Sequence, residues 1–389
     1  MKKILLIVPY NKYTIGLCSL NIYKMLVKRS DIILKCVIIH KFKDGYKEFD
    51  NCDFCIDGAN KGIKNLFSFI KELKWLRKIK KDFKPNISIS TLFCCSNISV
   101  LTGGNDLKIG IFHSPHTQEK VNGKLKYCIR LLTYRILYPK LDRLYCVSEG
   151  VRQSIVSTFK NIDPNKVEVV YNIHDKENIL KKSQEKLSTD EDKIFENPVI
   201  LYCGRLDKNK APERLLKAFI ASDKIPENTN LVYIGEDVDN LKSLLKNISE
   251  KTYKKNRVYI LGRKDNPYKY MIRASVFVSC SYSEGLPGVI IESLILGTPV
   301  VTTNSSIGVW EILKCNNAYD QKLKSCYFAK KGIITSNLFA YDKSELAYET
   351  DIKNLTKAIE LIFDNKYRKA PFEFEKNILA DNLSEKYIE

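Results

Sequence analysis

Residues 275–313 read SVFVSCSYSEGLPGVIIESLILGTPVVTTNSSIGVWEIL, and this stretch decides the fold class. Residues 276–280 are mostly apolar and β-branched, which predicts a buried parallel strand. A loop of small and polar residues follows at 281–287, and apolar residues then recur at helical spacing over 288–296 until glycine and proline end the helix. A second strand begins at 300–301. The stretch therefore predicts strand, loop, helix and strand, the repeating unit of a doubly wound α/β sheet.

Two glutamates flank the predicted loop-to-helix junction. In such a unit, ligands collect at the carboxyl edge of the sheet, and a helix amino terminus there presents free N–H groups to an anion. Glu284 lies in the loop and Glu292 about one turn into the helix. A carboxylate beside a bound phosphate needs hydroxyl groups from which to accept, so the pair suggests a ligand with both phosphates and polyols. The alternative is that both are solvated surface residues, because charged side chains mostly face water.

The sequence EGLPGVIIE at 284–292, followed by GTPVVTTN at 297–304, resembles the signature of retaining nucleotide-sugar glycosyltransferases of the GT-B fold, similar to family 4. Members of that family make capsule, lipopolysaccharide and related surface glycans. The resemblance implies two Rossmann-like α/β domains that face a cleft. It also implies transfer of a sugar from a nucleoside-diphosphate sugar, expected to be UDP-linked, to a glycan or lipid-linked saccharide, with retention at the anomeric carbon and without a metal or other cofactor.

The resemblance extends to residues 204–219, GRLDKNKAPERLLKAF, where Ala211 stands in place of the glycine usual in relatives. Arg205 and Lys210 match the two cations that relatives place on the donor diphosphate. A planar guanidinium and a point-like ammonium both suit phosphate oxygens, and they can stabilise charge on a departing diphosphate.

The remaining site residues are also implied by the resemblance. Glu284 would hold the sugar hydroxyls and Glu292 the ribose hydroxyls, and Arg263 would lie against the base. The implied donor site consists of Gly16, Gly204, Arg205, Lys210, Arg263, Glu284, Gly285, Leu286, Pro287 and Glu292. Relatives usually carry two adjacent glycines near Gly16, where this chain has one.

A histidine follows a predicted strand of the first domain. His113 comes directly after residues 107–112, so it is expected at the ligand edge of the sheet. The resemblance places such a histidine near the donor sugar and makes His113 the fourth candidate catalytic residue with Glu284, Arg205 and Lys210. His116 is the second candidate for that role. A lone histidine is as often structural.

The length of 389 residues and the 44% hydrophobic content suit two domains. We predict an acceptor-binding domain at 1–180, a polar linker at 181–197, a nucleotide-sugar-binding domain at 198–370 and a helix at 371–389 that returns to the first domain. No targeting or membrane-spanning segment is recognised, and a cytoplasmic location is expected.

The net charge of +19 is unevenly distributed. Residues 1–180 hold 31 Lys and Arg against 16 Asp and Glu, and residues 181–389 hold 33 against 29. A basic domain fits nucleic acid, an anionic membrane or an acidic substrate, but no nucleic-acid motif is present and no nucleic-acid partner is expected. Two basic helices, at 62–83 and 124–138, suggest peripheral contact with the inner face of the membrane. For the first, with Trp75 off its apolar face, an ordinary packed helix is the favoured alternative.

Two weaker metal signals also occur. The twelve cysteines are scattered, several within apolar runs, which is typical of reduced, buried thiols. Cys52 and Cys55 have the spacing of half a zinc site, but no matching second pair follows. Asp237 and Asp239 form a D-x-D sequence like that of metal-dependent transferases, but that class would not explain the rest of the chain.

Three other functions compete with a transferase. A nucleotide-sugar epimerase shares the implied fold and would consume a donor without an acceptor. A non-catalytic nucleic-acid or membrane binder would explain the charge, but not the paired glutamates. An inactive relative could serve as an assembly partner.

Overall fold

The computed structural model describes residues 1–10, 14–41, 49, 52–54, 66–115, 124–364 and 385–387. It divides into two compact units. The first contains residues 1–175 and 375–389, and the second contains residues 176–374. Each unit is built around one mainly parallel sheet, as the sequence predicts.

The first unit alternates strands and helices. Its elements are β1 (Lys2–Tyr10), α1 (Thr14–Val27), β2 (Ile32–Lys41), β3 (Asp53–Phe54), α2 (Leu66–Phe83), β4 (Ile87–Ser90), α3 (Phe93–Leu101), β5 (Leu107–Phe112), α4 (Lys124–Leu137), β6 (Arg143–Cys146), α5 (Glu149–Thr158) and β7 (Val167–Val169). The described strands are ordered β3-β2-β1-β4-β5-β6-β7, and each neighbouring pair is parallel. Their carboxyl ends therefore share one edge, where His113 follows β5.

The second unit repeats the pattern. Its elements are α6 (Lys176–Ser183), α7 (Thr189–Phe195), β8 (Val199–Cys203), α8 (Pro212–Ala221), β9 (Asn230–Ile234), α9 (Leu241–Glu250), β10 (Val258–Ile260), α10 (Tyr268–Met271), β11 (Val276–Ser279), α11 (Gly288–Ile295), β12 (Val300–Thr303), α12 (Ile307–Leu313), β13 (Tyr327–Ala329), β14 (Gly332–Thr335) and α13 (Glu345–Phe363). The sheet order is β10-β9-β8-β11-β12-β14-β13, with only β13 antiparallel among the described strands.

Strand β11 lies in the middle of this second sheet, between β8 and β12. Its residues are buried because helices cover both faces of a parallel sheet. The chain then passes through the loop that contains Glu284 and enters α11, as predicted from residues 275–313. The loops after β8 and β11 leave the sheet side by side, and this brings together residues that are distant in the sequence.

The prediction of a polar linker at 181–197 is wrong. Helices α6 and α7 occupy most of it, and Ser188 caps α7 in a reciprocal pair with Glu191. Ile194 and Phe195 pack against the core of the second unit, so these helices belong to that unit. The apolar residues are too few to give a visible helical period, although they are enough to anchor two short helices.

Residues 314–350 also contain regular structure. Strand β14 is fully buried and pairs with β12, and β13 pairs with β14. Helix α13 begins at Glu345, because Ser344 caps it. Strand β14 has only four residues and lies between two lysines and a polar loop. Its sequence therefore shows little of the alternation that identifies a strand.

The predicted carboxyl-terminal helix at 371–389 lies mostly outside the described residues. Residues 385–387 form a short 3-10 turn that contacts the first unit. The Tyr145 hydroxyl donates to the Lys386 carbonyl at 2.6 Å, and Tyr387 is buried against the Tyr145 ring.

Helix α2 is an ordinary packed helix. Trp75, interpreted from the sequence as exposed, is partly buried and packs with Phe69 and Leu73 against a core cluster of the first unit. Its lysines Lys71 and Lys78 are exposed on the opposite side. In the described ranges, no helix combines the length and apolarity needed to cross a bilayer.

Candidate functional site

Lys210 and Glu284 form an ion pair at the carboxyl edge of the second sheet. Lys210 Nζ lies 2.5 Å from Glu284 Oε1, and the two side chains are 23% and 13% exposed. Lys210 follows β8 and Glu284 follows β11, its neighbour in the sheet. The predicted association of these two residues is therefore present. A partly buried pair of this kind interacts more strongly than a surface pair because less water screens it.

The loops that carry the pair are also joined through Asn209, which the sequence analysis missed. The Tyr282 amide donates to the Asn209 carbonyl at 2.8 Å, and the Asn209 side-chain amide donates to the Ser283 carbonyl at 2.9 Å. The Glu284 amide donates to the Ser305 carbonyl at 3.2 Å. Because the backbone on both sides of the pair is fixed, the lysine and the glutamate are held in place before any ligand arrives.

Asp207 connects Arg205 to the loop that carries Lys210. The Arg205 guanidinium pairs with Asp207 Oδ2 at 2.7 Å, while Asp207 Oδ1 accepts from the Lys210 amide at 2.8 Å. The Arg205 side chain is 46% exposed and Asp207 is buried. Asp207 therefore orients both the arginine and the lysine loop, a role that the sequence analysis did not assign.

Glu292 lies on α11 and is buried. Burial raises the pKa of this carboxyl from 4.5 to about 8, against the opposing effect of a hydrogen bond from Tyr268. Its charge, together with burial, raises the pKa of the Cys203 thiol to about 12, and Lys210 opposes that shift. Glu292 and Lys210 thus both act on Cys203, at the end of β8. The interpretation of Glu292 as a solvated helix residue is wrong.

The loop between the two glutamates turns inward. Gly285, Leu286 and Pro287 are all buried, and Pro287 has no amide hydrogen to offer a ligand. Any backbone donation here must come from other residues of the loop and of the first turn of α11. Among the described atoms, the hydroxyls of Ser283 and Ser305 are buried without a hydrogen-bond partner.

A buried network supports this loop from below. Arg214, fully buried, donates to the carbonyl of Cys280 at 3.1 Å, to Asn337 Oδ1 at 2.9 Å and to Asp351 Oδ2 at 2.9 Å. The Asn337 side-chain amide donates to the carbonyl of Tyr282 at 2.8 Å. The loops after β11 and β14 are thereby held by one arginine on α8 and one aspartate on α13.

Backbone contacts place further site residues. A Cβ at Gly235 would lie 1.7 Å from the Gly204 carbonyl oxygen, so the loops after β8 and β9 touch through glycine. Ala211 has φ +47°, a left-handed conformation that favours glycine and accounts for the glycine usual at this position in relatives. Arg263 lies 3.6 Å from Glu236 in a half-exposed pair at the same edge.

The two aspartates of the D-x-D sequence accept hydrogen bonds from backbone amides. Asp237 accepts from the amides of Leu241 and Lys242 at the start of α9, and Asp239 accepts from the Lys208 amide at 2.8 Å. Both carboxylates thus hold a turn. Among the described residues, no group of three His, Cys, Asp or Glu is arranged to hold a metal. Cys52 lies against Cys36, and Cys55 falls outside the described residues. Metal independence stays a prediction.

The other two predicted residues lie in the first unit. Gly16 belongs to the first turn of α1. His113 hydrogen-bonds the Thr91 backbone, and burial lowers its pKa to about 4, so the ring is neutral at pH 7. Its Nε2 is buried and has no partner among the described residues. The Thr91 hydroxyl lies 2.7 Å from Ser19 on α1, which links the histidine to that helix. His116 falls outside the described residues.

Comparisons with known proteins agree with the two-sheet fold. Residues 183–321 match the family profile "Glycosyl transferases group 1", and residues 58–178 match "Glycosyltransferase Family 4". The crystal structure of Anabaena Alr3699/HepE in complex with UDP and glucose superposes with a TM-score of 0.66 at 14% identity, covering 100% of this chain and 98% of that chain. This chain therefore has the two-domain GT-B fold.

Two curated relatives add detail about the family. An uncharacterized glycosyltransferase of Methanocaldococcus jannaschii is 28% identical over 281 residues, 69% of this chain and 68% of the relative. The N-acetylgalactosamine-N,N'-diacetylbacillosaminyl-diphospho-undecaprenol 4-alpha-N-acetylgalactosaminyltransferase of Campylobacter jejuni is 36% identical over 181 residues. That second match spans 46% of this chain and 45% of the relative. The relative's name specifies a lipid-linked saccharide acceptor.

Gly308 tests whether the position of the Glu284 loop controls ligand binding. A Cβ at Gly308 on α12 would lie 2.2 Å from the Gly285 carbonyl oxygen, so Gly308→Ala must push the loop. We expect UDP affinity to fall about tenfold or more, measured by isothermal titration calorimetry. Gly297→Ala is the control. The left-handed backbone of Gly297 disfavours alanine, so this variant is strained as well, but the added Cβ meets nothing within 4 Å. Equal UDP affinity in the two variants would contradict the prediction.

The buried Glu292 predicts a pH-dependent stability. Its carboxyl is protonated in the folded protein below about pH 8 and ionises above about 4.5 when unfolded, so its contribution is lost as the pH rises between these values. We expect the unfolding free energy of the wild type to fall relative to Glu292→Gln, by at most about 1.4 kcal/mol per pH unit. Urea denaturation at pH 5, 6, 7 and 8 measures the difference between the two proteins. A difference independent of pH would show that Glu292 is ionised when folded.

Proposed function

We propose that the protein is a retaining glycosyltransferase that uses a nucleoside-diphosphate sugar, UDP-linked, and a glycan or lipid-linked saccharide acceptor. The observation that carries the proposal is the ion pair between Lys210 and Glu284, held at the carboxyl edge of the second sheet with Arg205 beside it. A cation and a carboxylate in contact are complementary to adjacent parts of one donor, the diphosphate and the sugar hydroxyls.

In the proposed reaction the bond from the anomeric carbon to the diphosphate oxygen breaks. A new bond forms to the acceptor hydroxyl on the same face of the sugar, and the hydroxyl proton leaves with the diphosphate. Negative charge grows on the diphosphate oxygens as the first bond breaks. Lys210 and Arg205 stabilise that charge, and the transition state gains most because their positions are already fixed.

Glu284 and Glu292 orient the donor. Glu284 accepts from hydroxyls of the transferred sugar while it remains beside Lys210. Glu292, buried near the end of β8, faces the ribose hydroxyls with its hydrogen-bond partner Tyr268. In its protonated form it can both donate to a diol and accept from one. The hydroxyl of Ser305, which has no partner among the described residues, offers the donor one more hydrogen-bonding group.

The first unit supplies the acceptor side. Neutral His113 of this unit has no partner for its Nε2 among the described residues and offers it to a hydroxyl of the donor sugar. Gly16, in the first turn of α1, is a further candidate donor contact. A lipid-diphosphate-linked saccharide is negatively charged. Residues 1–180 contain 31 basic and 16 acidic residues, and this net positive charge would attract such an acceptor. The name of the Campylobacter relative supports this class of acceptor. We propose a role in bacterial surface polysaccharide synthesis, as the sequence resemblance implies.

Turnover measurements test the proposal. The purified chain is mixed with UDP-glucose, UDP-galactose or UDP-N-acetylgalactosamine and with polyprenyl-diphosphate-linked saccharides extracted from bacterial membranes. We expect Glu284→Gln and Lys210→Ala each to lower transfer at least about 100-fold, since each removes a group that acts in the transition state. Labelled product is separated by chromatography and counted.

Lys208→Ala is the matched control, since Lys208 lies in the same loop and its side chain is exposed. Its transfer rate should stay within about twofold of the wild type, as for a surface substitution. Equal rates in all the variants would contradict the site assignment. Conversion of the donor without any acceptor would instead identify an epimerase.

A further inference from the structure

Helix α4 of the first unit presents an exposed apolar stripe. Ile129, Leu132 and Ile136 are 56%, 58% and 52% exposed. At 100° per residue they fall within an arc of about 60° on the helix. The opposite side of the helix is anchored, since Tyr134 is buried against Tyr138 and Phe159. The stripe is therefore a continuous outward face of a firmly packed helix.

Positive charge surrounds this stripe. Arg135 on the helix is exposed, and the helix sequence contains no acidic residue. Lys140 in the turn that follows is exposed. Lys160 is also exposed and lies next to Asn161, whose side-chain amide donates to the Arg135 carbonyl at 2.8 Å. Apolar side chains flanked by exposed cations are typical of helices that lie in a lipid interface.

Helix α2 does not offer a comparable surface, although its sequence is as basic. Its aromatic and aliphatic residues, Trp75 among them, pack against the core. Only Ile70, at 38%, is a strongly exposed large apolar side chain among its described residues. The structure thus distinguishes two helices that look alike in sequence.

We propose that α4 docks the protein on an anionic lipid bilayer, with Ile129, Leu132 and Ile136 entering the acyl boundary and the surrounding cations contacting lipid phosphates. Charge favours this occupant over a second copy of the chain, because two copies of so basic a face would repel each other. The inference goes beyond the proposed function, since it rests on α4 alone and needs neither donor nor acceptor.

Vesicle flotation tests the docking surface. The full chain is mixed with vesicles of phosphatidylglycerol and phosphatidylethanolamine, or of phosphatidylcholine alone, and centrifuged through a sucrose gradient. We expect the wild type to float with the anionic vesicles only and to lose binding in 1 M salt. The triple variant Ile129→Gln, Leu132→Gln, Ile136→Gln should bind at least about tenfold less.

Two controls make the test specific. Leu244→Gln with Leu346→Gln removes exposed apolar groups from the second unit and should leave flotation unchanged. Arg135→Gln with Lys140→Gln should weaken binding more than Lys71→Gln with Lys78→Gln on α2. Equal effects of these two charge pairs would overturn the assignment to α4.

Other outcomes would also overturn it. A wild type that stays at the bottom of the gradient contradicts the proposal, as does one that floats equally with phosphatidylcholine. A dimer by light scattering that the triple variant disperses would make a second copy the occupant. Because flotation contains no donor or acceptor, its failure leaves the transferase proposal intact, and failed turnover with normal flotation leaves the docking surface intact.

Discussion

The candidate site depends on one ion pair between residues 74 positions apart. Lys210 and Glu284 can meet only because β8 and β11 are neighbours in a parallel sheet and release their loops at the same edge. Each side chain alone would favour water over a partly buried position. Together they compensate for the lost hydration and place opposite charges side by side, the arrangement that a ligand with a diphosphate and several hydroxyls requires.

The pair is kept in place by groups that never face the ligand. Arg214 and Asp351 are completely buried, and their burial is tolerated because the two charges pair with each other through a hydrogen bond. Their connection through Asn337 to the carbonyl of Tyr282 extends that rigidity to the Glu284 loop. The position of the Glu284 loop is therefore fixed by contacts with the buried core of the second unit, where displacing a side chain costs the most free energy.

The sequence predicts those features that repeat or lie at strand ends. Residues 275–313 predict the β11–α11–β12 unit, which is confirmed, and sheet topology then brings Lys210 to Glu284. Burial is predicted less well. Glutamate is usually a charged surface residue, but Glu292 is buried in the folded protein. Its hydrogen bond with Tyr268 is visible only in the structure. Short elements such as α7 are missed because two or three anchoring residues in a polar stretch give no period.

The central claim is that Lys210 binds the diphosphate of the donor, and calorimetric titration with UDP and with uridine tests it most directly. The wild type should bind UDP far more tightly than uridine. In Lys210→Met the ratio of the two affinities should fall by about tenfold or more, the effect of losing one charge-assisted contact, while uridine affinity stays unchanged. A ratio equal to that of the wild type would contradict the account.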